Sequence, residues 1–135
     1  MSSAPLAVSL AVAMLAVSQP TFGQDPTGKA TAGDDGQLAF NNACRTCHTT
    51  REGDNRLGPN LHKVVGRKAG SLPNYAYSSA MKDADLVWDK AALDRFIANP
   101  EQVVSGHKMK PYGGVASAED RAKIIAFLET GGSSN

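Results

Sequence analysis

Apolar residues cluster at a few places along the chain, and the first cluster is unlike the rest. LAVSLAVAMLAV, from Leu6 to Val17, carries no charge and has Ser9 alone as a polar residue. It is too short to span a bilayer, which takes about 20 residues, and it shows no apolar/polar period that would suit a buried amphipathic helix. It fits the apolar core of a secretory signal. Thr21-Phe22-Gly23 offers a cleavage point that would leave Gln24 first, and a cut after Ser18 is the second choice. The first basic residue is Lys29, so either the α-amino group serves as the leading positive charge or the true start lies upstream. The reading is a cleaved signal at 1–23 and export to the periplasm, with a buried helix and an uncleaved anchor as its rivals.

The next stretch, QDPTGKATAGDD at 24–35, is polar and patternless and reads as a flexible leader. A helix is predicted to begin near Asp34 or Asp35, with Leu38, Phe40 and Ala43 on the way to Cys44. A domain is expected over 36–132, followed by a short tail at 133–135. From Arg51 to Met81 the residues REGDNRLGPNLHKVVGRKAGSLPNYAYSSAM hold neither a helical nor a strand period. So long a loop is unusual in a compact domain and implies chain wrapped around something. Periodicity returns in KAALDRFIAN, where Asp89 suits an N-cap, Leu93, Phe96 and Ile97 share a face, and Pro100 stops the helix. After an irregular segment, EQVVSGHKMKPYGGVA, the Ser117/Asp120 pair has the spacing of a capping box. It opens a helix carrying Ile124, Ile125, Phe127 and Leu128, which Gly131-Gly132 close. No repeat and no strand alternation is present. The predicted fold is all-α: three main helices, short helical turns and long ordered loops.

Charge narrows the function by exclusion. With 14 basic and 13 acidic side chains in 135 residues, the chain is no polyanion binder by bulk field, and no nucleic-acid partner is expected. Aromatic residues make up 6%, so a domain this small gains from apolar bulk that a cofactor could supply.

The chemistry concentrates in CRTCH, which holds the two cysteines of the chain, Cys44 and Cys47, with His48 directly behind. A disulfide across so small a loop restricts the unfolded chain least. Redox-active C-x-x-C pairs sit in a βαβ context, which is missing here. Zinc would need four ligands, drawn from the cysteines and two of His48, His62 and His107, yet His48 adjoins Cys47 without a spacer. Haem attachment accounts for every residue. Two thiols three positions apart can add to two vinyl groups on one edge of the macrocycle, and the next imidazole lies under the iron. A second axial ligand could come from Met81 or Met109, since Met1 and Met14 leave with the signal. Methionines usually pack cores, but Met109 stands between Lys108 and Lys110, a setting that suits a ligand loop better. Met/His ligation marks an electron carrier.

From Gly36 onward the chain resembles the class I c-type cytochromes of the mitochondrial and α-proteobacterial kind. The matching stretches are CRTCH, LGPNLHKVVGRKAG, YAYSSAMKDADLVW, LDRFIANP and GHKM, in order, together with the last helix. The resemblance implies one covalently bound haem c, thioethers at Cys44 and Cys47, and His48 and Met109 as axial ligands. It implies that the Pro59 carbonyl orients His48, that Arg67, Tyr77 and Trp88 meet the haem propionates, and that Gly36 and Phe40 meet Phe127 where the first and last helices cross. It also implies a monomeric one-electron carrier, not an enzyme. Its transient partners would be membrane redox complexes, such as a quinol–cytochrome c reductase and a terminal oxidase or reaction centre. Lys63, Lys68, Lys108 and Lys110, with Arg45, come from segments that border the haem edge in similar proteins.

Three positions depart from the family. His107 replaces a threonine that reaches the propionates, which predicts a redox potential that varies with pH near neutrality. Phe96 stands for a tyrosine, and Met81 for an asparagine. Both changes strip hydrogen bonds from the crevice, with opposing effects on the potential. The rival function is a five-coordinate haem on His48 alone, with peroxidase-like or gas-binding activity. It needs Met109 displaced, and His107, Lys108 and Lys110 are the neighbours that could compete for the iron.

Overall fold

The computed structural model describes Met1 and residues 31–133. The signal expected at 1–23 lies outside the described residues except for Met1, as does most of the expected leader. Among the described residues the architecture is all-α: α1 (Ala32–Ala43), α2 (Ser79–Asp83), α3 (Lys90–Ala98), α4 (Pro100–Val103) and α5 (Ala118–Glu129). The three longer helices are those expected. One boundary differs. Thr31, not Asp34 or Asp35, is the N-cap of α1; its hydroxyl accepts from the Asp34 N–H while the Asp34 carboxylate reaches back to the Thr31 N–H. Helix α1 therefore starts at Ala32, because the box satisfies two amide donors that a helix starting at Asp35 would leave open.

The other ends follow their side chains. Asp89 accepts from Ala92 N at 2.7 Å to start α3, and Ser117 accepts from Asp120 N at 3.2 Å to start α5. Pro100 ends α3 and at once opens α4, with the Asn99 side chain as its cap.

Helices α1 and α5 cross with the Phe40 and Phe127 rings 5.3 Å apart. The crossing depends on Gly36, since a Cβ there would stand 2.8 Å from Lys123 O and 2.9 Å from Phe127 Cβ. α3 packs on α5, tied by the Arg121 Nε–Asp94 Oδ1 pair at 2.7 Å, whose arginine is mostly buried. The core runs through Leu93, Phe96, Ile97, Ile124, Ile125, Phe127 and Leu128, and Ile124 is fully enclosed. The long central loop is ordered by main-chain bonds and not by a strand. A single antiparallel bridge pairs Lys68 with Val87, and Trp88 N donates to Arg67 O at 2.9 Å. With Gly66 N donating to Trp88 O at 2.9 Å and Ala69 N to Leu86 O at 2.8 Å, it sets Arg67 beside Trp88. No helix among the described residues is long and apolar enough to cross a membrane.

Candidate haem site

Between the helices and the central loop lies a cavity of about 460 Å³ with mostly apolar walls, within the ~300–1,000 Å³ range of cofactor sites. All ten residues expected to hold or face a cofactor line it: Cys44, Cys47, His48, Pro59, Arg67, Tyr77, Trp88, Phe96, His107 and Met109. Lys108 and Lys110 also border it, whereas Lys63 and Lys68 are exposed away from its walls. Met81 lines it as well, so both candidate methionines reach the same space.

The end of α1 builds one wall. Cys44 is the C-cap, and its carbonyl accepts both the Cys47 N–H at 3.1 Å and the His48 N–H at 3.0 Å. This turn brings two half-buried free thiols and a buried imidazole together at a helix end. Burial pushes the Cys44 thiol up to about 11, with Cys47 adding to the rise. It is therefore a protonated thiol at neutral pH in the chain by itself. His62 lies 4.0 Å from Glu52 and His107 pairs with Glu101 instead. Among the described residues no group of three His, Cys, Asp or Glu is gathered to hold a bare metal ion.

His48 is oriented from behind. Its Nδ1 lies 2.8 Å from Pro59 O, and a carbonyl only accepts, so the proton sits on Nδ1 and Nε2 keeps its lone pair. Burial lowers the imidazole pKa; the Pro59 bond opposes the shift and the Arg67 charge adds to it. The ring is therefore neutral at pH 7, the form that ligates iron. Gly58 makes this possible, since a Cβ there would stand 2.6 Å from His48 Nδ1 and closer still to Cε1. Gly58 N in turn donates to Cys47 O at 2.8 Å. Sequence reasoning misses this glycine; its signal is a Gly immediately before the Pro that orients the ring.

On the loop side, Arg67 donates to Asn60 O at 2.9 Å and His62 O at 3.2 Å. A guanidinium has five N–H donors, so others remain for a carboxylate in the cavity. Burial lowers the Arg67 pKa and raises that of Tyr77, while each of the two opposes the other's shift. Trp88 packs on Phe96 with ring centres 4.8 Å apart. Two tyrosines beyond those expected also line the space. Tyr75 donates to Leu57 O at 2.7 Å and Tyr112 to Ile97 O at 2.9 Å, and burial pushes the Tyr112 hydroxyl up to about 12. The signal for both is an aromatic body with a polar tip in an otherwise irregular loop.

Paired thiols at a helix end, a neutral imidazole with a free Nε2, a guanidinium and apolar walls together fit an iron porphyrin. Comparisons with known proteins point the same way. A family model described as cytochrome C oxidase, cbb3-type, subunit III, matches residues 31–128. Cytochrome c of Euglena viridis is 40% identical over 95 residues, covering 70% of this chain and 92% of the relative. Cytochrome c2 of Rhodopila globiformis is 42% identical over 105 residues, covering 76% and 98%. The solved structure of cytochrome cH from Methylobacterium extorquens superposes with a TM-score of 0.67 at 38% identity, covering 73% of this chain and 97% of that one. The chain belongs to the class I c-type cytochromes, electron-transfer proteins and not enzymes, whose cofactor is one covalently bound haem c.

Proposed function

We propose that this cytochrome is exported to the periplasm and carries single electrons between membrane-bound redox complexes. One would be a quinol–cytochrome c reductase, the other a terminal oxidase or a reaction centre. In this reading His48 and Met109 would ligate the iron, and Cys44 and Cys47 would hold the haem covalently. The observation that carries it is that His48, held neutral with Nε2 free, and Met109 are walls of one cavity. The names cytochrome c and c2 among the relatives support carriage, and the uncharged run from Leu6 to Val17 supports export.

Bound haem c would supply a ferric/ferrous couple that exchanges one electron. The chain's residues prepare that exchange. Pro59 fixes the rotation of the His48 ring and raises its donor strength. Arg67 is placed to neutralise a propionate. Leu93, Ile97, Ile124 and Leu128 keep water from the cavity wall. Held by both His48 and Met109, the iron would have no position left for a substrate. Exposed Lys108 and Lys110 border the cavity and would meet acidic partners there; Lys63 and Lys68, the other docking lysines of this reading, lie outside its walls, and Lys110 and Lys68 also face Glu101 and Asp85. The molecule's net charge of +1 gives little long-range pull.

The test is the visible spectrum of the matured protein, oxidised and reduced, with and without carbon monoxide. A low-spin spectrum with the weak ferric methionine–iron band, unmoved by carbon monoxide, is the expected result. A high-spin spectrum or ready carbon monoxide binding overturns the His48/Met109 ligation.

A further inference from the structure

In the segment that carries Met109, four donors converge on one carboxylate, alongside the Tyr112 bond to Ile97 O and the packing of Val104 and Met109 on the core. Glu101 lies in α4, eight residues before Met109. Its Oε1 accepts from Ser105 Oγ at 2.9 Å and from Gly106 N at 3.3 Å. Its Oε2 faces His107 Nε2 at 3.2 Å and Lys110 Nζ at 3.8 Å. These bonds, the Ser105 hydroxyl and the Gly106 amide foremost, hold the Glu101 carboxyl below the usual carboxylate range, so it is ionised at neutral pH. His107 continues the chain of contacts. Its Nδ1 accepts the Met109 N–H at 2.9 Å. An amide N–H only donates, so the imidazole carries its proton on Nε2, the nitrogen that faces Glu101. The ring is 2% exposed and stands edge-on to Phe96, with centres 6.1 Å apart. Water cannot easily replace either of its bonds.

We infer that Glu101 and His107 form a two-step clip in which the carboxylate orients the imidazole and the imidazole fixes the backbone amide of Met109. Glu101 is a positioning residue: it does not line the cavity, and acts on the methionine through His107. The inference rests on the reading of Met109 as the axial ligand. Its physical content is kinetic. The clip restrains the segment in which Met109 must move whenever its sulfur leaves the iron, so it sets how often the sixth position opens.

Glu101→Gln is the informative variant. It keeps a carbonyl oxygen for Ser105 and Gly106 but presents an amide NH₂ to the His107 Nε2–H, a donor facing a donor. His107→Asn is the second variant; its side-chain oxygen can stand where Nδ1 stood, yet it cannot span to Glu101. The measurement is the rate at which free imidazole binds the ferric holoprotein, a step limited by departure of Met109. Because a charge-assisted hydrogen bond is lost, Glu101→Gln is expected to speed binding by about tenfold or more. The double variant should be no faster than the faster single one, since both act on one chain of contacts. Amide exchange at Met109 should rise in Glu101→Gln while exchange at Phe40 and Phe127 stays unchanged, which a general loss of stability would not produce. Imidazole binding within about twofold of the parent rate, or additive single-variant effects, overturns the clip. If the parent protein lacks the methionine–iron band, the axial reading has failed on its own account. The Met109 amide then decides the clip, and unchanged exchange in Glu101→Gln overturns it.

Discussion

At Gly58 the main chain lies flat against the His48 imidazole, held there by its own bond to Cys47 O and by the Pro59 carbonyl behind the ring. Any Cβ would push the ring out of line or move the backbone that orients it. Gly58→Ala is therefore expected to lower the unfolding free energy of the holoprotein by about 1–3 kcal/mol, the usual range for overpacking a filled site. Denaturant titration would read this as a lower midpoint at an unchanged slope. Cys44, Cys47 and His48 are legible from the sequence because their chemistry depends on spacing within five consecutive residues. Gly58 is not, because its role depends on a ring ten residues away. Glu101 is hidden for a related reason: an exposed carboxylate on a short helix reads as solvated, and nothing local shows four donors turned toward it.

At the scale of elements, two helix starts share one signature but differ in how plainly they show it. Ser117-x-x-Asp120 stands out in the sequence and does cap α5, whereas Thr31-x-x-Asp34 is masked by the paired aspartates behind it. The acid three residues in belongs to the first turn, where its charge also suits the helix dipole. Helix α3 gives a clean measure of a cap. Asp89→Ala removes the 2.7 Å bond to Ala92 N and should cost about 1 kcal/mol in thermal or denaturant unfolding. Gly36→Ala raises local helix propensity, yet it places a methyl 2.8 Å from the Lys123 backbone oxygen. Packing outweighs propensity here, so the expected result is a loss of about 1–3 kcal/mol. A stabilised variant would mean that α1 and α5 can separate without cost.

For the whole molecule, the cavity outweighs any single contact. Without haem the mostly apolar walls of this cavity would meet water, and the residues that line it would lose the body they pack on. A domain of this size has only about 5–15 kcal/mol of net stability. Without haem the fold should therefore not hold. Cys44→Ser/Cys47→Ser, produced without covalent cofactor, is expected to lose cooperative melting and most of its far-ultraviolet helical signal. A sharp thermal transition in that variant would show that the helices carry the fold unaided. The length of the central loop implies that it wraps around something, and the observed contacts give the reason. Its side chains line the cavity, and its main chain is tied by one isolated bridge and scattered turns.

The sequence by itself determined the all-α class, the three main helices and the haem-attachment motif, because these depend on local periodicity, caps and fixed short spacings, and its likeness to known cytochromes over several ordered stretches pointed to the family. Tertiary structure alone decided which glycine lets the Pro59 carbonyl hold His48, and how Arg67 comes to lie beside Trp88. It also decided that His107 turns toward Glu101 and the Met109 amide. Each of these is a meeting of groups distant in the chain or facing away from their neighbours, set by how the helices cross and how the loop closes over the cavity.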